Sequence, residues 1–399
     1  MMSRIISGLK FADIMQICML TALLLFVSIS FNVFDFMQTV SYLVWAACCL
    51  SFGVMLIFFI RKPVISYFDL TIAAYMLLLI TFTILNGTDV KSAIYRSIEV
   101  FLLTMIVNYR HNIRLIAKTC ATVLSCGAYT NLAIMIMFPN WMFAAKDTFD
   151  SHLLGGNYNQ IGSRLITAII LSIICTKISK KWIINTVLLI IVSIVTLALV
   201  GSMTSLSCIL LLSIFCLIPS FRLQKVGVVA FFLFFILFQC TVVFSGEGLH
   251  NNPYAVYIIE DVLQKDITFT NRTELWDAAG RMFAESPLIG YGFVDSDWYV
   301  SNMNSSAIGP HNFIYSVLIN GGLTLLCVLI IMCLTALRNI LRNYDKIAVI
   351  LLMGIATLFF MMTMEVYPFF FLFLLLYFTY HYPQLSSPDR ISPKEPQHA

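Results

Sequence analysis

The strongest constraint on this chain is a succession of apolar runs, at about 14–34, 40–60, 66–85, 94–108, 115–138, 161–176, 182–200, 204–219, 226–245, 312–334, 347–365 and 367–381. Crossing a bilayer takes roughly 20 apolar residues. A backbone in lipid must also satisfy its own polar groups, so each run is expected to be a helix. A membrane β-barrel would show segments of about ten residues that alternate in polarity, whereas these runs are continuous and rich in Leu, Ile and Phe. Only 11% of the 399 residues are charged, against about 25% in a soluble domain. The chain reads as an all-α polytopic membrane protein of about 12 transmembrane helices, with a large external loop between the ninth and the tenth. A net charge of +4 without any Lys/Arg block excludes a nucleic-acid partner.

The cations set the orientation. With both termini cytoplasmic, every cytoplasmic turn carries Lys or Arg, among them Arg61, Lys62, Arg110, Arg114, Lys177, Lys180, Arg222, Arg338 and Arg342. The external segments are longer and hold Lys91, Arg96, Lys146, Arg164, Lys265, Arg272 and Arg281, so the bias obeys the positive-inside rule. On this topology residues 1–245 hold the first nine spans, 246–311 form an external loop, and 312–382 hold the last three. Residues 383–399, rich in Pro and Ser, are expected to be a disordered cytoplasmic tail. The run after Lys10 has no small-residue cleavage pattern and reads as a retained first span. No cytoplasmic turn can house a nucleotide-binding domain and there is no GxxxxGK[ST] sequence, so ATP-driven transport is excluded. All 11 cysteines lie in apolar runs and read as small hydrophobes, with no disulfide framework and no metal-ligand spacing. The acidic residues of the long loop also lack ligand spacing, so neither a metal nor another cofactor is expected.

Within that loop, Asn271-Arg272-Thr273-Glu274 has the form of a capping box, Asn as N-cap and Glu three residues on. Leu275, Trp276, Ala279, Met282 and Phe283 then lie on one helical face, and Pro287, Gly290 and Gly292 end it. Arg272 thus falls in the first turn of an amphipathic helix. Gly309-Pro310-His311-Asn312 stands directly before the tenth span. The positive end of a helix disfavours imidazolium, and a neutral imidazole there can accept a proton near neutral pH. Taken alone, Arg272 also fits a surface arginine on a packing helix, and His311 a capping or interfacial residue.

The run from Arg272 through Trp276, then Ser286-Pro287-Leu288-Ile289-Gly290-Tyr291-Gly292-Phe293, Pro310-His311-Asn312 and Gly321-Gly322, resembles the signature of the O-antigen ligase and polymerase superfamily. The resemblance extends to about twelve spans with the large external loop after the ninth. It implies a membrane-embedded glycosyltransferase in the bacterial inner membrane, with its active site on the external face. The donor would be an oligosaccharide on undecaprenyl diphosphate, and the acceptor a glycan hydroxyl. Neither nucleotide nor metal is implied, because the diphosphate is already an activated leaving group. The resemblance makes His311 the general base and Arg272 the diphosphate clamp, whose guanidinium fork suits phosphate oxygens. Trp276, Arg281 and Asn312 are further candidate substrate contacts.

The chain departs from that pattern in two places. The arginine expected after a Ser past the seventh span is replaced, since the sequence reads Gly201-Ser202-Met203-Thr204, and Leu325 occupies a site of Gly, Thr or Tyr in the ligases. Both departures favour a polymerase over a ligase. Arg164 and Arg96, at external span ends, are the candidates to replace the missing cation. Arg96 has an alternative partner in Glu99, three residues along its helix. The reading is a polysaccharide polymerase embedded in the lipid bilayer and served by a chain-length regulator. A ligase acting on lipid A-core is the alternative within the family. A flippase or transporter for lipid-linked sugars is the alternative from a different class, for which no internal repeat is evident.

Overall fold

The computed structural model describes residues 10–31, 35–61, 64–110, 112–138, 152–156, 158–251, 253–262, 266, 268–269, 271–303 and 309–386. The first nine apolar runs lie on α1 (Phe11–Ser28), α2 (Asp35–Arg61), α3 (Tyr67–Asn86), α4 (Val90–Arg110), α5 (Ile113–Met137), α6 (Ile161–Thr176), α7 (Trp182–Val200), α8 (Met203–Leu217) and α9 (Phe221–Phe238). The long loop carries α10 (Arg272–Glu285) and α11 (Ser296–Met303), and the last three runs lie on α12 (Phe313–Ile340), α13 (Lys346–Met361) and α14 (Phe369–Tyr380). Among the described residues, α1, α2, α3, α5, α7, α9 and α12 are long and apolar enough to cross a membrane, and α6, α8, α13 and α14 are shorter apolar helices. There is no named strand among them; the only pairings are isolated bridges such as Ile29 with Leu154. The protein is a polytopic all-α membrane protein.

Burial separates the helices into a centre and a periphery. In α6 every residue from Ile161 to Cys175 is buried, as is Phe370–Thr379 of α14, while only 17% of the apolar window of α2 and of α9 is covered. Small residues let the central helices approach closely. A Cβ on Gly162 would meet Ser205 Oγ of α8 at 2.2 Å, and one on Gly354 of α13 would meet Ile170 at 2.5 Å. The end of the bundle away from the site is tied by polar groups. The Tyr377 hydroxyl lies within hydrogen-bond distance of Asp69 Oδ1 (3.1 Å) and Asn108 Oδ1 (2.8 Å), and Lys177 Nζ pairs with Asp345 and donates to the Tyr382 hydroxyl.

The tenth helix is broken. Gly321 (φ −158°, ψ 16°) and Gly322 (φ 60°, ψ −159°) leave helical geometry inside α12, which frees amide groups that lipid cannot satisfy. The Pro287–Gly292 turn takes them up: Leu323 N donates to Pro287 O (2.8 Å), Thr324 N to Leu288 O (3.2 Å), and in return Tyr291 N donates to Ile319 O (2.7 Å). The same turn is stitched to the end of α3, with Phe293 N on Thr83 Oγ1 (2.8 Å) and Thr88 Oγ1 on Tyr291 O (2.9 Å). Two motifs separated in sequence are therefore the two sides of one joint. Leu325 is fully buried beneath it, and a Cβ on Gly321 would meet its side chain at 2.5 Å.

Three sequence expectations are corrected. The helix begins at Arg272 as expected, but Asn271 is left-handed (φ 62°) and its side chain makes no cap; instead Arg272 N and Thr273 N donate to Thr268 O at 2.8 and 3.2 Å. The run at 347–365 does not stay helical to its end: α13 stops at Met361, and Met362–Pro368 form the turn into α14. The tail expected from 383 begins with a short helix, Tyr382–Ser386, in which Leu385 is buried. Lys146, Asn157, His111 and the tail beyond 386 lie outside the described residues.

Candidate active site

One end of the bundle holds a partly open cavity of about 910 Å³. Its apolar wall is made by Phe26 and Val27 of α1, Met76 and Leu79 of α3, and Phe369 and Phe370 of α14. Its polar wall comes from Asp89, Arg96 and Glu99 at the head of α4, Gln160 and Arg164 at the head of α6, and His311, Ser316 and Asn320 at the head of α12. Asp295 and Tyr299 from the loop and Glu365 from the α13–α14 turn complete it. Hydrogen bonds from the Ser92 side chain and backbone hold the Asp89 carboxyl below the ordinary carboxylate range. Burial pushes the Tyr299 phenol up, opposed by its hydrogen bond with Ser316.

His311 precedes α12 with a positive φ of 45°, a conformation that costs a non-glycine residue about 1–3 kcal/mol and persists only where the surroundings impose it. Asn312 imposes it. Its side chain is fully buried, accepts from Tyr315 N (3.0 Å) to cap α12, and donates to Gln239 Oε1 (3.1 Å) and Thr363 O (3.2 Å). Gln239 opens a π-helical turn, Gln239–Val243, that continues α9. The His311 ring is 24% exposed and its Nδ1 is buried, so its open edge is the far one, which borders the cavity.

Arg164 is the more unusual cation. Its guanidinium is buried (5% exposed) at the positive end of α6, where a cation is disfavoured by both burial and the helix dipole. It is held by neutral oxygens, Gln160 O (2.9 Å), Gln160 Oε1 (3.1 Å), Ser163 Oγ (3.2 Å) and Val27 O (3.4 Å), and by the Phe371 face at 4.9 Å. Among the described residues no carboxylate lies within ion-pair distance of it. Gly155 (φ 89°) is pressed against the group so closely that a Cβ there would sit 3.2 Å from Arg164 Cζ. Arg96 is half exposed and pairs with Glu99 at 3.3 Å, which is the local partner its sequence suggested.

The structure thus brings His311, Arg164 and Arg96 to one cavity and sets the other candidates around it. Arg272 does not line it; its Nε donates to Met364 O (2.9 Å) and its Nη1 to Phe269 O (3.2 Å), so it fastens the turn that bears Glu365. Trp276 is fully buried in a small core beneath the loop with Val243, Met282 and Ile319, and Arg281 is exposed on the opposite side of its helix. Asn312 acts on the backbone as a cap. Met203 is 63% exposed at the start of α8 and does not line the cavity. Sequence reasoning missed Glu365, whose Oε1 lies 3.1 Å from His311 Nδ1. The available signal was a lone carboxylate inside otherwise apolar sequence, which inside a membrane protein marks a functional position.

Fold and cavity together define a multi-pass membrane protein with a polar cavity at one end of its helix bundle. Residues 187–330 match the family model described as O-antigen ligase, so that this stretch is similar to the O-antigen ligase/polymerase superfamily. That stretch contains Arg272, the Pro287–Gly292 turn, His311 and the Gly321–Gly322 break. Comparison with curated proteins gave no match, and neither did comparison with solved structures.

Proposed function

We propose that this protein is an inner-membrane polysaccharide polymerase that joins repeat units carried on undecaprenyl diphosphate. The observation that carries the reading is Arg164, a buried guanidinium that, among the described residues, has no carboxylate within ion-pair distance and shares a cavity with His311. An anionic diphosphate supplies the missing counter-charge, and a bidentate fork in a low-dielectric site stabilises the charge that develops as it leaves. An acceptor hydroxyl attacks the anomeric carbon, the bond from that carbon to the phosphate oxygen breaks with its electron pair on the diphosphate, and the hydroxyl proton passes to His311. The apolar wall fits the start of the isoprenoid chain. The ligase reading is favoured by the description of the matching family. The product decides: membranes given lipid-linked repeat units alone make polymer if the chain is a polymerase, whereas a ligase makes product only when lipid A-core is added.

Lysine replacements test the clamp, because Lys keeps the charge and loses the fork. Arg164→Lys is expected to lower polymer formation about 10²-fold or more at a normal membrane level, and Arg96→Lys to lower it less. Full activity of both Arg164→Lys and Arg164→Ala places the diphosphate elsewhere. The orientation is tested by cysteine labelling in intact cells: position 274 is expected to react with an impermeant reagent, and positions 180 and 342 only after permeabilisation. Protection of position 274 sinks the external-face assignment.

A further inference from the structure

The upper piece of α12 ends on a polar group that the protein itself leaves unsatisfied. Asn320, the last residue before the Gly321–Gly322 break, is 4% exposed and lines the cavity, and its Oδ1 is buried without a hydrogen-bond partner among the described residues. The break does not employ this side chain, since the turn joins it main chain to main chain. The backbone beneath the amide is fixed: Tyr291 N donates to Ile319 O (2.7 Å), and a Cβ on Gly290 would meet Asn320 C at 3.0 Å. An orphaned amide oxygen is costly, and its presence in a cavity wall calls for a partner from outside the protein. Oδ1 is an acceptor, so that partner must bring a hydrogen. A diphosphate ionised at neutral pH brings none, whereas sugar hydroxyls and acylated amino groups do. The neighbouring groups have the same bias. Ser316, one turn earlier on the same face of α12, lines the cavity in contact with Tyr299, and the Asp89 and Asp295 carboxylates belong to the same polar wall. The cavity therefore offers guanidinium donors, Arg164 and Arg96, to phosphate and a set of acceptors to hydroxyls.

We propose that Asn320 is a specificity contact for the saccharide: Oδ1 accepts a hydroxyl or amide hydrogen of the sugar carried on undecaprenyl diphosphate, while Arg164 holds the diphosphate. The inference rests on the reading of the cavity as the site of the lipid-linked unit, and it makes the glycan as well as the diphosphate a recognised part of that ligand. A buried acceptor that the wrong ligand leaves unpaired discriminates more sharply than a pocket that only fits. The rigid backbone at the break keeps the amide in place before the sugar arrives, so little ordering is left to be done on binding.

Binding without turnover tests this separately from the polymerase assay. Full-length protein in lipid vesicles is titrated with two probes, undecaprenyl diphosphate alone and the undecaprenyl-diphosphate-linked saccharide extracted from cells that lack the protein. The wild type is expected to bind the saccharide form more tightly. Asn320→Leu, close to Asn in shape and without a polar atom, is expected to weaken the saccharide form about 10-fold and to leave undecaprenyl diphosphate alone unchanged. Its melting temperature without ligand is expected to equal or exceed that of the wild type, because the orphaned acceptor is gone; a structural role for the amide predicts the reverse. Equal loss for both probes, or loss for neither, overturns the proposal. So does a lower melting temperature in both Asn320→Leu and Asn320→Ala, which shows that the amide has a partner inside the protein. If Asn320→Leu alone is destabilised, Asn320→Ala carries the binding comparison. Arg164→Lys is the reciprocal control, expected to weaken both probes alike. A wild type that binds neither probe defeats the reading of the cavity itself, whereas one that binds both equally defeats the saccharide contact and leaves that reading in place.

Discussion

Polymer is expected to disappear from cells carrying His311→Ala, with lipid-linked single repeat units accumulating and the protein still present in the membrane. Removing a general base typically costs about 10²–10⁴ in rate, enough to erase a product that needs many successive transfers. The fold should survive. The ring is a quarter exposed and makes no aligned hydrogen bond through Nδ1, while the cap of α12 is supplied by Asn312. Near-normal polymer in this variant rules out His311 as the base and returns it to a purely interfacial role.

Gly322→Ala is expected to have the largest structural effect. A Cβ at that position would lie 2.3 Å from Leu288 C, 2.4 Å from Leu288 O and 2.6 Å from Pro287 O, and the residue already sits at φ 60°. None of those atoms belongs to a flexible side chain, so the turn must leave the helix. With it go the bonds from Leu323 N and Thr324 N, leaving two amides of a spanning helix unsatisfied in lipid. The expected loss exceeds about 4 kcal/mol, the range reserved for such disruptions, and should appear as lost thermal stability in detergent and as cleavage within the 246–311 loop. Gly201→Ala is the control: its φ is 74° but a Cβ there meets nothing within 4 Å, so only the conformational cost of about 1 kcal/mol applies. Equal stability of the two variants removes the joint from the account of the fold.

The helices were legible because lipid leaves a chain few options: each apolar run coincides with a helix, and errors fall at ends, as where α13 stops before Glu365. That same error hid the carboxylate. Counted as the last residue of a span, Glu365 was part of a composition; placed in a turn, it is a side chain aimed at His311. His311, Arg96 and Arg164 were legible as ionisable groups near span ends, and the cavity collects all three. Trp276 and Asn312 were not separable by type. An aromatic at helical spacing and an Asn at a helix head look alike whether they meet a ligand or the protein's own core and backbone, and here they meet the latter. The Asn271 cap failed for a local reason, since a left-handed residue points its side chain away from the first-turn amides that Thr268 serves instead.

The broken helix also has a mechanical consequence. An unbroken α12 of 28 residues would be a rod of about 42 Å, longer than the hydrocarbon layer of about 30 Å, and such rods respond to changes in bilayer thickness by tilting. A tilt would swing the end that carries His311. Interrupted at Gly321–Gly322, the lower piece Leu323–Ile340 is about 27 Å long, a fair match to the layer. The upper piece is bolted to the loop turn, and the turn in turn to the end of α3. The break is expected to take up thickness fluctuations at the glycine pair, so that the cavity end of α12 is held in the frame of the surrounding helices instead of riding on the lipid.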